Sequence, residues 1–168
     1  MENEEKRESA IRKAYSFKGM ADAAVKAGNM SQAEKFIEMF GEGMKNVYEE
    51  YPSERTKKGW FSGIAAVSLF YQSHRNPKKA FPFAKQSFEL IMDLYEINPR
   101  SAEYAMAAVQ QGDMLISCCG EIGELDMGLD TFDKIEPIAE SLESAFGQSN
   151  EIINKIMATH NYVRSMLN

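Results

Sequence analysis

The amino-acid sequence predicts an all-α fold, an α-solenoid of three antiparallel helical hairpins that is closed by a seventh, capping helix. Apolar residues recur at helical spacing in seven segments, and no segment alternates with the two-residue period of a strand. The chain also resembles itself at an offset of 47 residues. Self-similarity at a period of this size is typical of stacked helical units, each of which buries the apolar face of the next.

The internal repeat relates residues 29–52 to residues 76–99 through six identities. The identical pairs are Asn29 and Asn76, Ala33 and Ala80, Phe36 and Phe83, Tyr48 and Tyr95, Glu49 and Glu96, and Pro52 and Pro99. A third unit shares one small residue with the first two, at spacings of 47 and 48 residues: Ala33, Ala80 and Gly128. Each of these follows a predicted turn residue by five positions, and the turn residues are Gly28, Arg75 and Gly123. A small side chain at this place lets the paired helices approach closely.

The first hairpin is predicted at residues 8–52, after a charged start that is expected to be frayed. Its two helices are separated at Gly28, because glycine readily adopts the left-handed conformation that ends many helices. Helix two is expected to begin at Ser31, an N-cap whose capping box is completed by Glu34 three residues later. Pro52 ends this helix, since proline has no N–H to donate.

The second and third hairpins are predicted at residues 53–99 and 101–147, and the cap helix at 150–167, all within one domain. Helix three is apolar on most sides, so we expect it to be buried between its neighbours. Its Trp60 is interpreted as a packing residue rather than an anchor for a partner. Helix seven carries an apolar stripe that begins at Ile152 and that must cover hairpin three, as terminal caps of helical arrays do.

Charge is spread unevenly along the chain. Residues 1–100 carry 16 Lys and Arg against 14 Asp and Glu, whereas residues 101–168 carry 3 against 11. The last part therefore has a net charge of −8, which argues against nucleic acid as a partner because phosphates require cations. The same charge is compatible with a basic partner.

The N-terminus and the cysteines predict a cytoplasmic protein. The sequence begins Met-Glu-Asn-Glu-Glu, without the basic and apolar regions of a secretory signal. It contains no apolar run of the ~18 residues that span a bilayer, so we expect no membrane contact. Cys118 and Cys119 are adjacent, and consecutive residues of a helix do not suit a structural disulfide.

Few residues are suited to catalysis or to metal binding. His160 lies on the apolar stripe of helix seven and is interpreted as a hydrogen-bonded packing histidine. Cys118 has no neighbouring histidine or cationic helix start that would activate it, so it is interpreted as a core thiol. The sequence lacks HExxH and CxxC pairs, and we expect neither a metal nor a cofactor. An enzyme is therefore not expected.

The turns of the first unit resemble those of tetratricopeptide repeats. The residues that carry the resemblance are Phe17, Met20, Ala21, Gly28, Asn29, Ala33, Pro52 and Pro99. The resemblance implies a helical repeat architecture, although the period of 47–48 residues exceeds the roughly 34 of that family. HEAT-type repeats fit the period better and the turn worse. Some tetratricopeptide proteins clamp a C-terminal carboxylate with lysine and asparagine; Lys18 suits such a clamp, but Asp22 one turn later would repel the carboxylate.

These observations predict non-catalytic protein or peptide binding, as an adaptor or chaperone, in a concave groove lined by the first helix of each hairpin. The candidate residues are polar or amphipathic side chains of helices one, three and five without an evident core role. They are Tyr15, Lys18, Asp22, Lys26, Gln72, Gln110 and Asp113. The alternative is a self-assembling structural or regulatory subunit, in which hairpins pack across a homodimer.

Overall fold

A computed structural model describes residues 1–147 and 149–168 with their side chains, and the backbone of residue 148. The described chain forms seven α-helices and no strand. The helices are α1 (Glu2–Lys26), α2 (Met30–Glu50), α3 (Glu54–Ser73), α4 (Pro77–Ile97), α5 (Ala102–Ile122), α6 (Leu125–Phe146) and α7 (Glu151–Leu167). Each helix from α1 to α6 packs on the next one in the chain, and α7 packs on both α5 and α6. The fold is the all-α solenoid of three antiparallel hairpins with a capping helix that the sequence predicts.

The three hairpins turn in the same way, at the positions that the repeat indicates. Gly28, Arg75 and Gly123 have φ angles of +74°, +54° and +84°. In each turn the following residue donates its N–H to the carbonyl five residues earlier, at 2.9 Å. This is the hydrogen bond that closes a helix end through a left-handed residue. The turn register predicted from the sequence is therefore confirmed, including the arginine that replaces glycine in the second unit.

We expect Arg75→Gly to raise the free energy of unfolding by about 1 kcal/mol, because glycine adopts a positive φ without the clash of a Cβ atom. Arg75 is exposed, so the substitution removes little packing. Urea denaturation of the parent and the variant measures the difference. Arg75→Ala is the matched control, since it removes the charge and keeps the Cβ atom. An equal gain from both substitutions would assign the effect to charge instead of backbone conformation.

The small residues of the repeat are buried where paired helices meet. Ala33 and Ala80 have no exposed surface. At Gly128 an added Cβ atom would lie 3.4 Å from the Cβ atom of Cys119 on the preceding helix. The shared place in the three units is thus a close-packing position, as the sequence predicts.

The first hairpin departs from the prediction at both of its helix starts. α1 begins at Glu2 and not near residue 8, because its charged residues pair within the helix: Lys6 Nζ lies 2.7 Å from Glu2 Oε1. Acidic side chains in the first turn also complement the positive end of the helix dipole. α2 is capped by Asn29, whose side chain accepts from the Gln32 N–H at 3.2 Å. Ser31 therefore lies inside the first turn and is not the N-cap.

The buried apolar residues form two clusters along the array. One cluster joins residues of α1 to α4 with Cys118 of α5, and the other joins residues of α4 to α7. The cap helix contributes four residues to the second cluster: Ile153, Ile156, Met157 and Val163. α7 is consequently part of the same core as the third hairpin.

Candidate functional site

A cavity of about 720 Å³ lies between α3, α5 and α7, and we call it the α5 groove. Three of the candidate residues line it, namely Gln72 from α3 and Gln110 and Asp113 from α5. α7 supplies the opposite wall, which includes Ile152 and Tyr162. The groove therefore brings together the candidate residues of the second and third hairpins with a helix that was predicted to be only a cap.

The four candidate residues of α1 do not line the α5 groove. α1 packs on α2 at the other end of the array. Lys18, Asp22 and Lys26 are exposed to solvent there. Tyr15 is about half exposed, and its ring packs on that of Phe40 with the centroids 5.1 Å apart. The sequence predicted a groove lined by helices one, three and five. The observed groove is lined by α3, α5 and α7.

Asp113 is the candidate residue whose surroundings differ most from the prediction. It was expected to be a solvated side chain without a core role, but only 3% of its surface is exposed. Its Oδ1 atom lies 2.9 Å from Nδ1 of His160, which is fully buried on α7. The sequence could not show this because the partner comes from a helix 47 residues away.

His160 is the centre of a polar network that joins α5, α6 and α7. Its Nε2 atom lies 3.0 Å from Oε2 of Glu136 on α6, and the Arg164 guanidinium also pairs with Glu136. The two helices that carry these carboxylates approach closely at Gly112, the residue before Asp113. A Cβ atom at Gly112 would lie 2.6 Å from Cγ2 of Ile135, the residue before Glu136. The interpretation of His160 as a hydrogen-bonded packing histidine is confirmed.

The two carboxylates favour the charged form of His160. Burial alone would lower the pKa of His160, but the hydrogen bonds with Asp113 and Glu136 raise it. Burial raises the pKa of Asp113, and the hydrogen bond with His160 opposes that effect. Burial also acts to raise the pKa of Glu136, but hydrogen bonds with Arg164 and His160 hold it below its usual value. An imidazolium that donates from both ring nitrogens satisfies this arrangement.

The second oxygen of Asp113, Oδ2, is buried and accepts no hydrogen bond from the described residues. A buried acceptor without a donor destabilises a protein by roughly 1–3 kcal/mol. Buried polar atoms of this kind are rare and call for a specific explanation, such as a functional role. Since Asp113 lines the α5 groove, the groove includes a residue whose Oδ2 atom lacks a hydrogen-bond donor among the described residues.

Large apolar side chains stand on both sides of the groove. Leu69 of α3 is 55% exposed, and Ile152 and Tyr162 of α7 are 64% and 65% exposed. Ile152 and Ile153 both belong to the predicted apolar stripe of helix seven, but only Ile153 is buried. Consecutive helical residues point about 100° apart, so Ile152 lies at the edge of the stripe and faces the groove.

Other residues weighed in the sequence lie in packed surroundings. Cys118 and Cys119 are buried, and burial raises the pKa of the Cys118 thiol to about 11. That thiol is therefore protonated at neutral pH and is a poor nucleophile. Trp60 stacks on Tyr48 with the ring centroids 5.2 Å apart, as a packing residue does.

The described residues include no group of three or more histidine, cysteine, aspartate or glutamate side chains arranged to hold a metal ion. No described helix is both long enough and apolar enough to cross a lipid bilayer.

No protein-family model matches the chain, and no curated protein matches it. Among solved structures, the chain is similar to the DHF58 filament, with a TM-score of 0.48 and 14% identity over 98% of this chain and 82% of that chain. It is similar to the DHF79 filament, with a TM-score of 0.42 and 16% identity over 96% and 85% of the two chains. It is also similar to the de novo designed helical repeat protein DHR64, with a TM-score of 0.40 and 16% identity over 98% and 82%.

Proposed function

We propose that the protein is a non-catalytic helical-repeat module that binds a segment of a partner protein in the α5 groove, as an adaptor or chaperone. The observation that carries the proposal is the composition of this groove. Exposed apolar side chains stand on its walls, and its lining includes Asp113, which has a buried carboxylate oxygen without a described donor. Binding sites commonly combine an apolar lining with a few placed polar groups that fix the orientation of the ligand.

The dimensions of the groove support a peptide-like occupant. Its volume of about 720 Å³ lies within the range of roughly 300–1,000 Å³ that is typical of ligand sites. Its lining extends over about two turns of α5, from Gln110 to Ser117, and about three turns of α7, from Ile152 to Val163. An extended or helical segment can lie along such a groove and place successive side chains between its walls.

The charge of the C-terminal part supports a basic partner. Its three cations, Lys134, Lys155 and Arg164, are each paired with a carboxylate of the same part. Eight more carboxylates than cations remain in residues 101–168, which gives this part an acidic surface. A complementary charge speeds association and favours one orientation of the bound segment.

The proposal is tested by selecting peptides from a random display library on the parent protein and then measuring their affinities by fluorescence anisotropy. We expect dissociation constants on the order of micromolar, as modest and partly polar surfaces give. The double variant Leu69→Ser with Tyr162→Ser is expected to weaken binding at least tenfold, since it removes the large apolar side chains of the two walls without adding charge. Both side chains are mostly exposed, so the fold should be retained.

The matched control is Leu125→Ser with Leu129→Ser. These leucines are also exposed, at 65% and 49%, but they lie on α6 and do not line the groove. The control should bind the selected peptides like the parent. Peptides that bind the groove variant as tightly as the control would place the binding surface elsewhere and contradict the proposal.

A further inference from the structure

We infer that the segment bound in the α5 groove presents an arginine side chain whose guanidinium donates to Oδ2 of Asp113. This inference rests on the proposed function and names the chemistry that the groove recognises. The supporting observations are the unpartnered oxygen, the fixed position of its carboxylate, the acidic surroundings and the other acceptors of the groove.

The unpartnered oxygen requires a donor, and its carboxylate is held in place to receive one. Oδ1 of Asp113 is bound by His160, and His160 is itself fixed from its other ring nitrogen by Glu136. Oδ2 has no hydrogen-bond partner among the described residues. A carboxylate positioned by its other oxygen has little freedom to lose when a donor binds, so the interaction is preorganised.

Within the network the Asp113 and Glu136 carboxylates are matched by the His160 imidazolium and the Arg164 guanidinium, so the charge that favours a cationic donor comes from the rest of α5. Ser117 and Glu121 follow Asp113 at successive four-residue steps on α5, and therefore continue the same face of the helix. Glu121 is exposed and makes no ion pair with any side chain that the structure describes. Lys155, the lysine of the groove lining, is already 3.3 Å from Glu151. A cationic donor also forms a hydrogen bond about twice as strong as a neutral donor does.

Arginine fits the lining of the groove better than lysine. A guanidinium carries five N–H donors, and Gln72 offers a further acceptor because its Nε2 atom donates to Ser68 Oγ at 2.9 Å and its Oε1 atom is left to accept. The guanidinium is planar and less strongly hydrated than an ammonium group, so apolar walls exclude it less. The exposed ring of Tyr162 can also stack on a guanidinium.

A donor reaches Oδ2 only after a side chain of the groove moves, because this atom is closed to solvent. Gln110 is exposed and precedes Asp113 by three residues, which places it one turn away on the same face of α5. It makes no hydrogen bond with another described residue, so it can change rotamer without breaking one. The arginine would enter beside Gln110 once that side chain changes rotamer.

The test compares mixtures of acetylated, amidated nonapeptides whose central residue is fixed as arginine, lysine or citrulline and whose other positions vary among leucine, phenylalanine, serine and glycine. Citrulline has nearly the shape of arginine without the charge. We expect the parent protein to retain the arginine mixture at least tenfold more than the citrulline mixture in equilibrium dialysis. Asp113→Asn should abolish this preference, because its amide group presents a donor where the guanidinium requires an acceptor.

A second measurement uses the parent protein alone, in case Asp113→Asn does not fold as shown by circular dichroism. N-acetyl-arginine amide at millimolar concentration should shift the imidazole NMR signals of His160, and N-acetyl-citrulline amide should not. Equal shifts from both compounds, or none, would overturn the arginine anchor.

The outcomes separate this inference from the proposed function. If the citrulline mixture binds as well as the arginine mixture, and binding is lost in the Leu69 and Tyr162 double variant, the groove binds peptides without an arginine anchor. If no mixture binds and the library yields no peptide, the proposed function fails as well. Light scattering of the free protein supplies the remaining outcome: a dimer that this double variant converts to a monomer would assign the groove to a second copy of the chain and contradict both.

Discussion

Replacing His160 with alanine is expected to lower the free energy of unfolding by about 3–5 kcal/mol. The substitution leaves the Asp113 and Glu136 carboxylates without the group between them, and breaking a buried ion pair by removing one partner has an effect of about this size. Asp113 then has no described donor for either oxygen. Thermal and urea denaturation at neutral pH measure the loss.

The same network predicts a pH dependence whose sign follows from the raised pKa of His160. A group that binds its proton more tightly when folded stabilises the protein fully below its unfolded pKa, near 6.5, and less as the pH rises through the folded value. The parent should therefore lose stability as the pH rises above about 6.5 through the folded pKa of His160. His160→Ala should lack this decline.

His74 provides the matched control, since it is the other histidine of the chain and is exposed. His74→Ala leaves the His160 network in place, so this variant should keep the decline in stability with pH that the parent shows. A parent protein with flat stability between pH 6 and 9, or a similar decline in both alanine variants, would show that the His160 network does not stabilise the fold in the way described.

Ending the chain after residue 148 is expected to abolish cooperative folding or to produce aggregates. The truncation removes the four buried apolar residues that α7 adds to the core, at roughly 1.5–3 kcal/mol for each large side chain. It also exposes the apolar face of α5 and α6, and a contiguous exposed apolar surface promotes association. Light scattering and a thermal melt of the truncated chain measure these effects.

Two neighbouring isoleucines of α7 test the same point without truncation. Ile153 is 2% exposed and Ile152 is 64% exposed. Ile153→Asp should lower the melting temperature strongly, because it buries a charge, whereas Ile152→Asp should change it little. A truncated chain that stays monomeric and melts like the parent would mean that α7 is dispensable for the fold.

Local and periodic features of this protein could be read from the sequence. Apolar spacing is set by the geometry of a single helix, so the seven helices followed from it. The turns at Gly28, Arg75 and Gly123 followed from the repeat, because each unit must reverse the chain at the same place to stack on the next. Arg75 shows that the position in the repeat was a better guide to the turn than the residue type.

The site was only partly predictable, since it depends on which helices meet after the hairpins stack. Gln72, Gln110 and Asp113 were recognised as polar residues on the inner helices, and the structure places them around one groove. The burial of Asp113 could not be predicted, because its partner His160 lies on another helix. The spacing of residues along one helix does not show which residues of another helix they contact. Tyr162 was missed for the same reason: it belongs to the groove only because α7 packs beside α5.

The linear packing order of the helices also determines how the two ends of the molecule influence each other. The principal contacts of α1 to α6 are with their immediate neighbours, and α1 has no principal contact with α5 itself among the described residues. The shortest connection between them runs through α3, whose Arg55 pairs with Glu8 of α1 and whose Glu54 accepts from Tyr104 of α5. In a one-dimensional array of this kind, a perturbation weakens at each interface that it crosses. Sequence changes, fusions or modifications on α1 should accordingly leave the shape of the α5 groove and its affinity for a partner unchanged. α1 can therefore diverge, or carry an attached domain, without altering what the C-terminal half recognises.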